Sequence, residues 1–243
     1  MENKNFDTEE LISGPGGEYL INKLGINNTH DLAKTEYRIS AKRLYELLLN
    51  PVDALTKIND KYHVINEAGS LVFDENLFLA INYYLLSDIY YFAGEYKHQM
   101  TYAKGRGNAS FNYFAMFNQL DAVPSNLHYA LVGMNNELAN KEVPNKEYIA
   151  TKLASYFLTI VNIHPFREGN GRTLRAYFSL FMEYNMNNSY KSLDSSFMLD
   201  WSKVDNDVFQ NVMYENQKDS SILTTEFLKA LVPISKEAKL RTY

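Results

Sequence analysis

Apolar side chains recur along this chain at the three- and four-residue spacing of amphipathic helices. The clearest stretch predicts a helix over residues 146–163, because Ile149, Leu153, Phe157 and Ile160 fall on one stripe. Pro144-Asn145 directly before it is a helix start signal. The same spacing predicts further helices over residues 31–49, 76–91, 127–139, about 171–184, 204–216 and 223–231.

One segment, between Gly94 and Phe114, departs from this helical spacing. Alternating polar and apolar residues there lead into a glycine-rich stretch, which predicts a β-hairpin or flap. Residues 7–17, which end in Gly-Pro-Gly-Gly, are predicted to form a loop. With only 11 glycines and 6 prolines, the chain has too few turn residues for many short strands. The pattern therefore predicts an all-α fold with one small β element.

Composition narrows the class of protein. The 243 residues are 46% hydrophobic and 22% charged, as in a soluble globular protein. No apolar run reaches the length of a membrane span, and the polar, acidic start is unlike a secretory signal. Without cysteine the chain has no disulfide and no thiolate site. The net charge of −5 argues against non-specific nucleic-acid binding but leaves room for a local phosphate site. We expect a cytoplasmic protein.

Chemistry concentrates in residues 164–175, His-Pro-Phe-Arg-Glu-Gly-Asn-Gly-Arg-Thr-Leu-Arg, which we call the signature loop. Pro165 ends the preceding helix, and Gly169 and Gly171 allow a tight turn and close approach to a ligand. A new helix begins there, so its first backbone N–H groups point outward at the positive end of a dipole. This arrangement predicts an anion site.

The side chains of the signature loop suit a phosphate ligand. Arg172 and Arg175 share one face of the new helix and offer planar forks for phosphate oxygens. Glu168 lies beside them, and a carboxylate next to phosphates is the usual protein ligand of Mg²⁺. His164 can accept a proton near neutral pH. Phe166 is expected to pin the loop into the core rather than to act on a ligand.

These twelve residues resemble the signature of Fic-domain proteins, His-Pro-Phe-x-Asp/Glu-Gly-Asn-Gly-Arg-x-x-Arg, at every defined position. Residues 89–97 are similar to the family's Tyr-x-Trp/Phe-Ala-Gly-x-x-Arg stretch, with Lys97 in place of its arginine. Lys104-Gly105 resembles part of the flap. Residues 22–26 and 41–44 resemble the N-terminal helical part of bacterial Fic toxins and effectors, so the likeness covers roughly residues 18–217.

The resemblance implies a Fic-type helical bundle with a β-hairpin flap over the active-site loop. It divides the chain into an N-terminal helical extension (1–60), a Fic domain (61–217, flap about 94–112) and a C-terminal helical segment (218–243). The implied activity is transfer of AMP from ATP to a Ser, Thr or Tyr hydroxyl of a target protein docked on the flap. His164 would deprotonate that hydroxyl, and Glu168 would hold Mg²⁺. The nucleotide phosphates would be bound by Gly169, Asn170, Gly171, Arg172 and Arg175.

Several alternatives stay open. Another nucleotide such as UTP is compatible with the loop, because the base pocket lies elsewhere; Tyr214, Asn216 and Gln217 are weak candidates for it. A regulatory module that binds nucleotide without turnover is a second reading. Removal of AMP and nucleic-acid binding are less favoured. The intact Gly-Asn-Gly stretch favours AMP transfer over the phosphate transfer of the Doc-type branch.

Regulation is the last expectation. Many Fic proteins inhibit themselves with a Ser/Thr-x-x-x-Glu-Gly/Asn helix whose glutamate pairs with the second signature arginine, here Arg175. No stretch of this chain fits that pattern. The resemblance therefore implies a toxin or effector that a separate small antitoxin controls, unless Glu75 or Glu215 reaches Arg175. Secretion into a host cell also remains compatible with the sequence.

Overall fold

A computed structural model describes residues 11–14, 17–98, 101–103, 112–114, 120–139, 145–186, 197–209 and 220–234. Its helices are α1 (Thr29–Leu49), α2 (Pro51–Thr56), α3 (Asn59–Tyr62), α4 (Glu75–Leu86), α5 (Val123–Met134), α6 (Lys146–Ile163), α7 (Asn170–Leu180) and α8 (Ser221–Ala230). Short π-helical segments, Asn135–Ala139 and Phe181–Met186, extend α5 and α7. Two 3-10 turns lie at Leu120–Ala122 and Trp201–Lys203. The predicted helical class is confirmed.

The strands pair in antiparallel twos. β3 (Thr101–Ala103) pairs with β4 (Asn112–Phe114), which confirms the predicted hairpin; its tip, with Lys104 and Gly105, lies outside the described residues. β1 (Leu11–Gly14) pairs with β2 (Gly17–Leu20), so the predicted loop over residues 7–17 was wrong at residues 11–14 and 17, while residues 7–10, 15 and 16 lie outside the described residues. β5 (Phe197–Leu199) pairs with β6 (Leu231–Pro233), a contact that local patterns did not reveal.

Helix limits follow local signals where such signals exist. α6 has the predicted bounds, because Asn145 caps it by accepting a hydrogen bond from the Tyr148 N–H at 2.8 Å and Pro165 follows its end. α4 ends at Leu86, five residues before the predicted Tyr91. Ile89 and Tyr90 are buried, yet both lie after the end of the helix, Ile89 in a turn and Tyr90 in irregular structure. Of the predicted helix over 204–216, residues 206–209 are helical and 210–216 lie outside the described residues.

The core forms where α4, α6 and α7 meet, with α1 packed on α4 and α7 and α5 packed on α4 and α6. α8 packs along α6. A cluster of aromatic rings joins these helices to the segment after β5, and its members are Phe157, Phe178, Trp201, Phe209 and Phe227. Phe157 and Phe209, for example, have ring centroids 4.8 Å apart in an edge-to-face pair. No described helix is long and apolar enough to cross a membrane.

Candidate functional site

The signature loop joins the two most central helices by a sharp reversal of the chain. His164 caps the end of α6 in the left-handed conformation, with φ of 47°. Gly169, with φ of 79°, caps the start of α7. A Cβ built on Gly169 would lie 2.5 Å from Leu86 Cδ1 and 3.1 Å from Asn82 Nδ2, so both the backbone angle and the space favour glycine.

Asn170 fixes the shape of the loop from within. Its Oδ1 accepts a hydrogen bond from the Phe166 N–H at 2.9 Å, and its Nδ2 donates to the Phe166 carbonyl at 2.8 Å. Phe166 itself is 1% exposed and stacks on Phe78 of α4 at 5.5 Å. Phe166 thus anchors the loop, as the sequence predicts, while the Asn170 side chain serves the loop rather than facing a ligand.

The N-terminus of α7 offers an open anion site. In the described part of the chain, the backbone N–H groups of residues 170–172 donate no hydrogen bond. A Cβ built on Gly171 would meet no heavy atom within 4 Å, so this end of the helix faces open space. The helix dipole adds a partial positive charge there. The geometry is therefore able to bind phosphate oxygens through the backbone.

Asn82 of α4, which sequence analysis did not single out, holds the signature loop through hydrogen bonds. Its Nδ2 donates to the Glu168 carbonyl at 3.0 Å and to Thr173 Oγ1 at 3.1 Å. Its Oδ1 accepts from the Gly94 N–H at 2.9 Å. The side chain is 1% exposed, so one buried amide joins the loop, α7 and the segment that leads to the hairpin.

We expect Asn82→Leu to lower the free energy of unfolding by about 2–4 kcal/mol. Leucine has a similar volume, but it leaves the three buried polar groups that Asn82 binds without a hydrogen-bond partner. Asn76→Leu on the exposed surface of the same helix is the matched control. Urea unfolding of both variants measures the difference. A gap below about 1 kcal/mol between them would show that this amide does not hold the loop.

His164 is held as a neutral base. Burial first, and then the charges of Lys97 and Arg167, lower the pKa of His164 to about 3. The imidazole is therefore unprotonated at neutral pH and able to accept a proton. Lys97 lies against the main chain of this part of the loop and is buried.

Glu168 presents one engaged and one open carboxylate oxygen. Its Oε1 accepts from the Gly169 N–H at 2.7 Å and from Arg172 Nη2 at 3.3 Å. No hydrogen bond from the described residues reaches Oε2. Burial and the nearby Glu36 raise the pKa of Glu168, while Arg172 opposes that rise. A bound cation at Oε2 would offset the same cost of burying the charge.

The described residues contain no group of three or more acidic or histidine side chains that could hold a metal alone. A cation at Glu168 would therefore complete its coordination with ligand oxygens and water. Mg²⁺ commonly binds in this way, through one carboxylate and the phosphates of a nucleotide. The donor set at Glu168 fits that ion.

Arg172 meets a partner that sequence analysis missed. Its Nη2 donates to Glu36 Oε1 and its Nη1 to Ser40 Oγ, both on α1. Tyr90 Oη donates to the other carboxylate oxygen of Glu36. A signal existed in the sequence, since Glu36 and Ser40 share the buried face of α1 with Leu32 at four-residue spacing.

Arg175, one turn after Arg172 on α7, contacts a different part of the chain. Its guanidinium stacks on Trp201 and Phe209, and its Nη2 contacts Asn206 Oδ1 at 3.5 Å. Burial lowers the pKa of Arg175. Among the described residues no carboxylate lies within ion-pair distance of it. Glu75 pairs with His128 instead, at 3.1 Å.

Glu215 and the proposed base-facing residues Tyr214, Asn216 and Gln217 lie outside the described residues. The structure places the predicted His164 at the start of the loop, and it brings the predicted Glu168 and Arg172 within 3.3 Å of each other beside the open N-terminus of α7.

Comparison with known proteins agrees with this geometry. Residues 72–182 match the model of the Fic/DOC family. A probable protein adenylyltransferase of Sinorhizobium fredii is 28% identical over 177 residues, covering 72% of this chain and 77% of that protein. Among solved structures, the BepC protein of Bartonella tribocorum, a VirB-translocated effector with bound AMPPNP, aligns with a TM-score of 0.63 at 17% identity, over 89% of this chain and 93% of that one.

A second solved structure is the N-terminal Fic domain of an effector from Bartonella sp. AR 15-3. It aligns with a TM-score of 0.65 at 18% identity, over 95% of this chain and 94% of that one. At these identities the solved structures establish the fold.

Proposed function

We propose that this chain, whose residues 72–182 match the model of the Fic/DOC family, acts as a Fic-domain enzyme that transfers AMP from ATP to a hydroxyl side chain of a target protein. The single observation that carries the proposal is the open N-terminus of α7 beside a neutral His164 and an accessible Glu168 oxygen. This reaction needs a phosphate site, a base and a cation ligand, and groups able to supply all three lie within residues 164–172. The probable adenylyltransferase from Sinorhizobium fredii supports the same class of reaction.

The reaction is an in-line displacement at the α-phosphorus. His164 takes the proton from the target hydroxyl, whose oxygen forms the new bond to phosphorus. The bond from that phosphorus to the oxygen bridging the α- and β-phosphates breaks, and pyrophosphate leaves. Catalysis of this kind depends on positioning and on stabilising charge rather than on a covalent enzyme intermediate.

The remaining residues bind the nucleotide. The N–H groups of residues 170–172 receive phosphate oxygens at the end of the α7 dipole. Arg172 is proposed to bind the phosphates beyond the α-phosphate, and Arg175 the terminal one, because a guanidinium offers a planar pair of donors for phosphate oxygens. Glu168, whose Oε1 already accepts from the Gly169 N–H, would hold Mg²⁺. When bound, that ion would reduce the negative charge that builds up on the phosphates.

The hairpin and Arg175 suggest where a target protein and a regulator would bind. We propose that the β3–β4 hairpin takes an extended target segment by strand addition. A separate antitoxin carrying the inhibitory glutamate is proposed to pair with Arg175, which has no carboxylate partner among the described residues. The target protein then lies in the same bacterial cell for a toxin, or in a host cell for an effector.

Two other functions compete with this one, namely transfer from a different nucleotide and nucleotide binding without turnover. Incubation of the purified protein with Mg²⁺ and ATP, followed by intact-mass measurement, separates them. The same reaction is repeated with a bacterial lysate and with ATP labelled at the α- or the γ-phosphate. We expect protein label from α-labelled ATP only.

Label from γ-labelled ATP would instead show phosphate transfer and overturn the proposal. Label that appears with α-labelled UTP, GTP or CTP but not with ATP would change the nucleotide while keeping the reaction. ATP binding measured by calorimetry without any transfer in the lysate would favour the regulatory module.

A further inference from the structure

Lys97 contacts the chain on both sides of His164. It lies between α4 and the hairpin and is 4% exposed. Its backbone N–H donates to the Pro165 carbonyl at 2.9 Å, and its Nζ donates to the Ile163 carbonyl at 3.4 Å. One residue therefore holds the carbonyl of the residue before the base and the carbonyl of the residue after it.

The ammonium group of Lys97 has no charged partner in the described part of the chain. Every ion pair found there involves other residues, and Nζ makes its one hydrogen bond to a neutral carbonyl. Burying a cation without a counter-charge is costly, and such costs are concentrated at functional sites. Burial lowers the pKa of Lys97 to about 8, so the group still carries its charge at neutral pH.

The backbone that Lys97 holds is strained. His164 is a non-glycine residue with φ of 47° and ψ of 62°, and left-handed backbone persists only when surrounding contacts impose it. The His164 N–H donates to the Ile160 carbonyl at 3.0 Å and completes α6. The two Lys97 contacts fix the chain where it leaves that helix.

The charge of Lys97 also affects the protonation of the His164 imidazole. The charged groups that act on His164 are Lys97 and Arg167, and both disfavour a second positive charge. A protonated imidazole cannot act as a base, so these cations favour the form that can react. Lys97 is thus suited to hold both the place and the protonation state of His164.

We propose that Lys97 is a positioning residue for the base His164: it fixes the main chain on both sides and keeps the imidazole free to accept the target's proton. The inference rests on the proposed AMP transfer for its kinetic consequence. Its structural and electrostatic consequences can be measured without that activity.

The test compares Lys97→Met, which keeps the length and removes the charge, with Lys97→Arg, which keeps the charge. Lys152→Met, on the outer side of α6 and paired with Glu137, is the control for removing a lysine charge. For Lys97→Met we expect kcat of AMP transfer to fall about tenfold to a hundredfold with KM for ATP unchanged. Lys97→Arg should recover most of kcat, and Lys152→Met should behave as the wild type.

Titration of the His164 ring by nuclear magnetic resonance is the second measurement. Removing one of the two cations should raise the pKa of His164 by about 0.5 to 1 in Lys97→Met, and Lys97→Arg should leave it unchanged. The acidic limb of the rate profile should move toward neutral pH by the same amount, since protonation removes the base.

Equal kcat and an equal His164 titration in wild type and Lys97→Met would overturn the proposal. A fall in kcat that Lys97→Arg does not recover, with no change in titration, would also overturn it and leave Lys97 a packing residue. If Lys97→Met does not fold, Lys97→Gln removes the charge in the same way. If no variant and no wild type transfers AMP, the proposed function fails, while the titration still decides the role of Lys97.

Discussion

Replacing His164 with asparagine is expected to slow AMP transfer by about 10²–10⁴-fold, because the variant removes the group that takes the target's proton. Asparagine is chosen because it tolerates the left-handed backbone at this position better than alanine does. The loop should therefore keep its shape. Binding of ATP should change little, since the proposed phosphate contacts come from residues 168–175.

Initial rates with α-labelled ATP, measured beside ATP affinity by calorimetry, check this expectation. His63→Asn is a close control, because His63 is the other described non-glycine residue with positive φ, 53°, and it also caps a helix, α3. It should transfer AMP at the wild-type rate. If the rate of the His164→Asn variant is within threefold of the wild-type rate, His164 is not the base of the reaction.

Replacing Glu168 with glutamine is expected to reduce the rate by about 10²–10³-fold at fixed Mg²⁺. The amide keeps an oxygen that can accept the Gly169 N–H, but it loses the charge that attracts a divalent cation. More Mg²⁺ should be needed for half-maximal rate. Binding of ATP in the absence of divalent ions should stay close to that of the wild type.

The measurement is the rate as a function of Mg²⁺ concentration, repeated after chelation of the metal. Glu147→Gln, an exposed change of the same kind in the first turn of α6, is the control. An unchanged Mg²⁺ dependence in Glu168→Gln would place the metal ligand on another residue. A rate that is independent of Mg²⁺ in the wild type would exclude the ion from the reaction.

The sequence predicted the helices best where polar signals mark their ends. α6 has Asn145 at one end and Pro165 beyond the other, and its bounds were right. α4 was predicted too long, because Ile89 and Tyr90 stay buried after the helix has ended, and an apolar pattern reports burial rather than backbone conformation. The predicted hairpin was right in place, while the pairing of β5 with β6 joins segments too distant for a local pattern.

The candidate site was also predicted well where its residues are close together in the sequence. Residues of the signature loop are neighbours in sequence, so their spacing was enough to predict the anion site, the base and the carboxylate. Their supports come from far away: Asn82 is 86 residues from Glu168, and Glu36 is 136 residues from Arg172. Only the packing of α1, α4 and α7 brings these side chains to the loop.

The contact of Arg172 with Glu36 and Ser40 bears on where a working fragment of this protein can begin. The segment that matches the family starts at residue 72, whereas both partners of Arg172 lie on α1. A truncated protein that starts at residue 72 would leave this guanidinium without its α1 carboxylate and hydroxyl. The shortest active fragment is therefore expected to be longer than the segment that matches the family model. Fusion proteins and truncated versions should retain α1 from residue 29 onward.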